Sequence, residues 1–201
     1  MVANKTIDFF CGVCTKRRGI NLETLEQVLT LALEIAHEGR EGQKVGTLFV
    51  ISDAEQTMRH SRPLMLDPLL LHPDEVKHLN DPNLRETVKE LATLDGAFIV
   101  NDGGIVLSAC RYINATSEGV TLPLGLGSRH MAAASITRTT NAVAVVVSES
   151  TIVRVFDDGE IVSEIIPEEW LLSRYSLHLT GPVSTCSREH ITIISKNEEG
   201  I

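Results

Sequence analysis

The chain has 201 residues, 43% of them hydrophobic and 22% charged, so it can bury one sizeable core and is too short for two ordinary domains. The sequence shows neither a run of about 18 apolar residues nor a basic-then-apolar leader, which argues against a membrane span or a cleaved signal and predicts a cytoplasmic protein. The formal net charge is −9 without a basic stripe, which argues against nucleic acid as a partner.

A Cys-x-x-Cys pair, Cys11 and Cys14, lies in the N-terminal segment of residues 1–21. A structural zinc site usually has a second close pair of ligands, and Cys110 and Cys186 are far from each other in the sequence. Reduced thiols in a cytosolic protein are therefore the favoured interpretation. A zinc site and a redox-active pair are weaker alternatives.

The first predicted helix and strand follow this segment. Residues 22–38 have apolar positions at three-to-four spacing, with Asn21 as a cap and Gly39 as a stop, which predicts a helix. Residues 45–51 form a short, β-branched apolar run, which predicts a buried strand. Residues 52–82 contain repeated prolines and scattered apolar residues, so we expect an extended surface excursion without a long regular element.

A helix and a hairpin come next along the chain. Residues 83–93 place their apolar side chains on one helical face. Two apolar runs, residues 97–100 and residues 105–110, are separated by the turn sequence Asn-Asp-Gly-Gly at 101–104. This arrangement predicts two antiparallel strands.

The remaining predicted elements are a helix and three strands. Ser128 is well placed to cap an Ala-rich helix over residues 130–137. Residues 142–147 form a β-branched run that predicts a central strand. A second hairpin is predicted within residues 151–165, around the Asp-Asp-Gly turn at 157–159.

Strands interleaved with helices predict an α/β (α+β) fold. We expect a single globular domain at residues 22–166, with a central mixed β-sheet flanked by helices. Residues 167–201 are expected to form a C-terminal extension, and residues 1–21 an N-terminal segment.

The tripeptide Asp95-Gly96-Ala97 is the first candidate for chemistry, because it places a carboxylate at a helix-to-strand junction. Gly96 would let a ligand approach the backbone closely. A carboxylate in this position can hold a divalent metal against a phosphate and draw a proton from a hydroxyl group. The structural alternative is an Asp that only accepts hydrogen bonds from nearby backbone amides in a turn.

A Gly-rich passage, Gly125-Leu126-Gly127-Ser128-Arg129-His130, leads into the Ala-rich helix. Exposed backbone N–H groups, a helix N-terminus and an arginine together favour phosphate binding. The passage is not a Walker A loop, and no Gly-x-Gly-x-x-Gly follows a strand. His130 taken alone is more often a packed helix residue than a catalytic one.

In this order and spacing, the two segments resemble the signature of the diadenylate cyclase (DAC) domain family, in which Asp-Gly-Ala is followed some thirty residues later by Gly-Thr/Ser-Arg-His-Arg. The resemblance covers roughly residues 22–165, and the form Arg-His-x-Ala-Ala-Ala is similar to archaeal-type members. One departure is Met131, which stands where many bacterial members have a second arginine. Arg138 or Arg111 could take the place of that arginine.

The resemblance implies an enzyme, a nucleotidyltransferase that condenses two ATP molecules into the second messenger cyclic di-AMP and releases two pyrophosphates. It implies Mn²⁺ or Mg²⁺ held by Asp95, and catalysis by Asp95, Arg129 and His130. It also implies a homo-oligomer in which two subunits face each other, one ATP in each. The residues that it assigns to ATP binding are Gly96, Ala97, Ile113, Gly127, Ser128, Arg129, His130, Ser148 and Glu149.

Two other functions remain open on the sequence alone. The first is a regulatory module of the same fold that binds a nucleotide without turnover, having lost catalysis with the second arginine. The second, weaker alternative is a thiol redox or zinc protein built around Cys11 and Cys14.

Overall fold

The computed structural model describes residues 18–116, 118–167, 179, 181–188 and 191–196. These residues form one mixed β-sheet with helices on both of its faces, which confirms the expected α/β architecture. Cys11 and Cys14 lie outside the described residues, so the interpretation of that pair stays a prediction.

The elements follow one another along the chain as helices and strands in alternation. The helices are α1 (Leu22–Glu38), α2 (Ala54–Arg59), α3 (Pro82–Leu91) and α4 (Ser128–Thr139), with a 3-10 turn at Asp74–Val76. The strands are β1 (Thr47–Ile51), β2 (Ser61–Pro63), β3 (Ala97–Val100), β4 (Val106–Ile113), β5 (Val143–Val147), β6 (Val153–Asp157), β7 (Glu160–Pro167), β8 (Val183–Arg188) and β9 (Ile191–Lys196).

The strand order in the sheet is β2-β4-β3-β1-β5-β6-β7-β9-β8. Strands β1 and β3 run parallel, and the other neighbouring pairs are antiparallel. The two predicted hairpins are confirmed, as β3–β4 and β6–β7. Strands β9 and β8 continue the sheet beyond β7. Residues 167–201, expected to form a C-terminal extension, therefore contribute two strands to the same sheet.

Helix α1 forms at the predicted residues because both of its ends carry the expected caps. The side chain of Asn21 accepts a hydrogen bond from the Glu23 N–H at 3.0 Å. At the other end Gly39 takes a positive φ of 62° and donates its N–H to the Ile35 carbonyl. The apolar face between these caps is buried against the sheet.

The sheet is buried on both faces at its centre. Along β1, Phe49 and Ile51 face the core under α1, whereas Leu48 and Val50 face the core under α4. A strand buried on both sides reads as a continuous apolar run, which is the pattern that predicted it. Helix α4 therefore covers the face of the sheet opposite to α1.

Residues 52–82 contain no long regular element, as expected, but they do contain the short helix α2, the 3-10 turn and the three-residue strand β2, which pairs with β4. One expectation about local structure was wrong. Ser128 was expected to cap the Ala-rich helix, yet it is the first helical residue, and Gly127 is the cap. The Gly127 carbonyl accepts hydrogen bonds from the N–H groups of His130 and Met131.

Candidate active site

A cavity of about 530 Å³ lies between the first turn of α4 and strands β1, β3 and β4. The residues of the predicted site that line it come from three separate parts of the chain. They are Asp95, Gly96, Ala97, Ile113, Ser128 and Arg129. The cavity also includes residues that sequence reasoning did not assign to the site, namely Leu48, Leu64, Tyr112, Ala115 and Ala132.

The backbone at the Asp-Gly-Ala tripeptide requires glycine in its middle position. Gly96 has a φ of +111°, and a Cβ atom there would lie 2.6 to 2.8 Å from backbone atoms of Cys110 and Arg111. Cys110 itself takes a positive φ of 53°, at an irregularity in the β3–β4 pairing. The tripeptide is thus pressed directly against β4, which holds Asp95 at the mouth of the cavity.

Arg129 connects the two sequence motifs. Its Nη2 lies 3.4 Å from Oδ1 of Asp95, and its Nη1 lies 3.2 Å from Oε1 of Glu149. The side chains of Asp95 and Glu149 are 78% and 68% exposed, so these two ion pairs are weak and accessible to a ligand. A Cβ atom on Gly46, just before β1, would meet Arg129 Nη1 at 2.7 Å.

His130 is not among the residues that line this cavity. The side chain is buried, and its Nε2 lies 3.1 Å from Nη1 of Arg154. Arg154 in turn donates from Nε to Oε1 of Glu164 at 2.6 Å. Burial lowers the pKa of Arg154, and the Glu164 carboxylate opposes that shift. The structure thus places His130 in a buried polar cluster with Arg154 and Glu164.

The structure does not bring every predicted binding residue to the cavity wall. Ser148 follows β5 and makes a 2.8 Å hydrogen bond between its Oγ and that of Ser150. Glu149 does not line this cavity, but it forms an ion pair with Arg129, which does. Gly127 contributes as the cap of α4, with its carbonyl directed to the helix.

The two arginines considered in place of the missing one have different surroundings. Arg138, on the last turn of α4, donates from Nη1 to Oδ1 of Asp158 at 2.8 Å and is not part of the cavity wall. Arg111, on β4, lines the cavity and is buried. Met131 lines the same cavity. Sequence spacing alone could not separate the two arginines, because it did not show which face of β4 Arg111 occupies.

Comparison with known proteins identifies the family. The DAC family model, described as "DisA bacterial checkpoint controller nucleotide-binding", matches residues 34–161, which include both motifs. The chain belongs to the DAC family. This result confirms the resemblance drawn from the two motifs.

Two curated relatives of this DAC-family chain are named "Diadenylate cyclase". The one from Methanocaldococcus jannaschii is 49% identical over 150 residues, which cover 74% of this chain and 47% of that protein. The one from Haloferax volcanii is 43% identical over 149 residues, which cover 73% of this chain and 54% of that protein. The chain therefore spans about half the length of the curated relatives it matches.

A solved structure of a hypothetical membrane spanning protein from Bacillus cereus has a similar fold. Its TM-score is 0.52 at 20% identity, and the match covers 69% of the DAC-family chain and 62% of that one. In the part of this chain that the structure describes, no helix has both the length and the apolar character needed to cross a membrane.

The donor set of this DAC-family site suits a hard divalent cation. Asp95 and Glu149 present exposed carboxylates to the same guanidinium of Arg129, so both are within reach of one small region. Among the described residues no group of three or more His, Cys, Asp and Glu gathers in the way a protein-only metal site would need. Mg²⁺ is commonly held by one or two carboxylates together with substrate phosphates and water, and the two carboxylates fit that pattern.

Proposed function

We propose that the chain condenses two ATP molecules into cyclic di-AMP and releases two pyrophosphates. The observation that carries this proposal is the contact between Asp95 and Arg129. It joins the Asp-Gly-Ala carboxylate to the Gly-rich passage at residues 125–130, which we call the phosphate loop, at one cavity. The names of the two curated relatives support the same reaction. In each of two steps, a ribose 3′-oxygen forms a bond to the α-phosphorus of the other ATP, and the bond to pyrophosphate breaks.

The residues of the chain supply position and charge for this reaction. The first N–H groups of α4 and the guanidinium of Arg129 would bind phosphate oxygens, because both present donors and positive potential at the cavity. Asp95 would accept the proton of the 3′-hydroxyl group. Phosphoryl transfer depends mainly on alignment and charge neutralisation, so few groups are needed at the reacting atoms.

Asp95 and Glu149 would hold the Mn²⁺ or Mg²⁺ ion of the reaction. The ion would neutralise negative charge on the phosphates when it is bound. The ion pairs of Arg129 with these two carboxylates are exposed and weak, so its guanidinium would turn to phosphate oxygens if a cation were held by the two acids. Ser148 and His130 would act indirectly, by shaping the turn before Glu149 and the first turn of α4.

The nucleoside would occupy the apolar part of the cavity. Leu48, Ala97 and Ile113 form an apolar wall there, and Gly96 brings the backbone close to the ligand. A product with two phosphodiester bonds requires two such sites, so the active form would be a homodimer with the cavities face to face. Because ATP is the substrate, the reaction would take place in the cytoplasm.

Incubation of the purified chain with ATP and Mn²⁺ or Mg²⁺ tests the proposal. Mass spectrometry should detect cyclic di-AMP and pyrophosphate, and Asp95→Asn should abolish both. If ATP binds but no cyclic or linear dinucleotide forms under any of these conditions, the chain is a nucleotide-binding module without turnover. Absence of ATP binding would contradict both functions.

A further inference from the structure

Arg111 is a buried cation on the wall of the nucleotide cavity. The residue is 6% exposed and lies on β4 directly opposite Ala97 of the Asp-Gly-Ala tripeptide. Its neighbour two positions along the strand, Ile113, belongs to the apolar wall of the same cavity. Arg111 therefore lies next to the proposed nucleoside site.

The guanidinium of Arg111 is fixed by neutral acceptors. Its Nε donates to Oγ of Ser61 at 3.2 Å, and its Nη2 donates to the carbonyl oxygens of Ser61 and Met58 at 3.1 and 3.2 Å. Among the described residues no carboxylate lies within 4.0 Å of the guanidinium, and Nη1 has no acceptor. These contacts set the plane of the group without neutralising its charge.

The other arginines near the site are arranged differently. Arg129 contacts two carboxylates and Arg138 contacts one. Asp67 is the acid whose charge acts on the Arg111 guanidinium. Its carboxylate already accepts hydrogen bonds from the Ser108 hydroxyl and the Ala109 N–H. A buried charge without a direct counter-charge is costly to fold, and a ligand at the cavity that interacts with the cation offsets that cost.

The sheet order separates Arg111 from the phosphate-binding end. Arg111 is on β4, whereas Glu149, which contacts Arg129, follows β5. Three strand spacings of about 4.8 Å each separate β4 from β5 in the sheet. One nucleotide lying across the strands would thus have its phosphates at α4 and its base over β3 and β4.

We propose that the guanidinium of Arg111 contacts the purine base of the bound nucleotide. The inference rests on the proposed function for the identity of the nucleotide. It assigns Arg111 to binding of the base rather than to binding of the phosphate groups. A planar cation held by its edge can offer its flat face to an aromatic ring, and this interaction strengthens when it is shielded from water. Arg111 is then a cationic contact of the base, next to the apolar wall formed by Leu48 and Ile113.

Binding measurements with three probes test this assignment. Equilibrium dialysis gives the dissociation constant of ATP, and displacement of labelled ATP gives those of adenosine and tripolyphosphate. Arg111→Met should weaken ATP and adenosine about tenfold and leave tripolyphosphate unchanged, because the lost contact is to the base. Arg138→Met, a matched arginine outside the cavity, should change none of the three.

Either of two results would overturn the assignment. Equal weakening of tripolyphosphate and ATP by Arg111→Met would make Arg111 a phosphate ligand, and unchanged ATP binding would remove it from the ligand altogether. Melting curves show whether the variant folds. If Arg111→Met does not fold, Arg111→Lys keeps the charge and the stem but not the flat face, and it should weaken ATP and adenosine without affecting tripolyphosphate.

The proposed reaction and this inference fail separately. A wild-type chain that binds ATP through Arg111 but forms no dinucleotide would contradict the reaction and leave the base contact standing. A chain that forms cyclic di-AMP equally well at low ATP with Arg111→Met would contradict the base contact and leave the reaction standing.

Discussion

Asp95 has a minor structural role, and its proposed role is in the chemistry. Its side chain is 78% exposed and its ion pair with Arg129 is long, so Asp95→Asn should leave the free energy of unfolding within about 0.5 kcal/mol of the wild type. Turnover should fall nearly to zero, because the amide neither accepts the hydroxyl proton nor binds a cation well. Product formation and a melting curve on the same sample check both statements.

The matched control for this change is Asp102→Asn. Asp102 is an exposed acid in the β3–β4 turn, and it carries the same charge outside the cavity. Near-normal turnover in folded Asp95→Asn would contradict the role of the carboxylate. An equal loss in both variants would point to net charge instead of position.

Arg129→Ala should weaken ATP binding or slow turnover by tenfold or more. The change removes a charged group whose contacts to phosphate are typically worth about 1.5–3 kcal/mol. The dissociation constant of ATP and the rate at saturating ATP separate the two effects. The double change Cys11→Ser with Cys14→Ser should alter neither quantity, and loss of activity or of a bound metal in that variant would contradict the interpretation of reduced thiols.

At the scale of single elements, the Asp-Gly-Ala junction depends on the close approach of β3 to β4. Gly96→Ala would place a Cβ atom against the Cys110 backbone and force an alanine to a φ of +111°. We expect a loss of about 2 kcal/mol or more in the free energy of unfolding, since the contact is with backbone. Chemical denaturation of the two proteins measures it.

Gly103→Ala provides the comparison for that variant. Its added Cβ would come no closer than 3.4 Å, to the Asn101 side chain, and Gly103 does not take a positive φ. Stability close to that of the wild type is therefore expected. Equal stability of both alanine variants would show that the β3–β4 junction can relax.

The buried pair between β6 and β7 should respond strongly when only one partner is removed. Arg154 and Glu164 are opposite each other in the strand register and are almost fully buried. Arg154→Met removes a buried cation that is paired with the Glu164 carboxylate, and it should cost about 3–5 kcal/mol of unfolding free energy. The double change Arg154→Met with Glu164→Leu should recover most of this loss, and no recovery in the double variant would contradict the pairing as its cause.

Elements with strong local signals were predictable from the sequence. Helix α1 begins and ends at the predicted residues because its apolar face and its caps agree. The short elements α2 and β2 were missed because tertiary contacts stabilise them, including the pairing of β2 with β4 and the bonds from Arg111 to Ser61 and Met58. No local signal marks contacts between residues some fifty positions apart.

The sequence predicted several residues that line the cavity, but it did not predict which residues of the two motifs are turned away from it. Asp95, Ser128 and Arg129 meet at one cavity, as the two motifs implied. His130 follows Arg129 directly, yet successive helical residues point in different directions, and His130 turns to Arg154. Arg111 stands out as a basic residue among mostly apolar ones in β4, but its partners Ser61 and Met58 are 50 and 53 positions away in the sequence, so no local pattern shows how it is held.

At the scale of the whole molecule, the proposed product requires two chains. The described cavity contains a single Asp-Gly-Ala and a single phosphate loop, and cyclic di-AMP has two phosphodiester bonds. A hybrid of one wild-type and one Asp95→Asn subunit should therefore form one bond and stall before the second. A linear triphosphate dinucleotide should accumulate as mutant is added in excess, and chromatography would resolve it from the cyclic product.

Differently tagged subunits show whether hybrids form in that experiment. If hybrids are recovered and cyclic product only falls in proportion to wild-type subunits, without a linear species, the shared-site reaction is contradicted. If no hybrids are recovered, co-expression of the two tagged chains supplies them for the same measurement.

One border of the sheet limits how copies of the chain can associate. Strand β2 has three residues and ends in Pro63, which has no N–H to donate. Arg62 in its middle adds a positive charge, and its guanidinium lies 4.5 Å above the ring of Tyr112. A short strand with a proline and a charge is a poor template for a neighbouring strand, which disfavours aggregation by sheet extension at this border. At this border, contacts between copies are thereby left to loops and side chains rather than to backbone pairing.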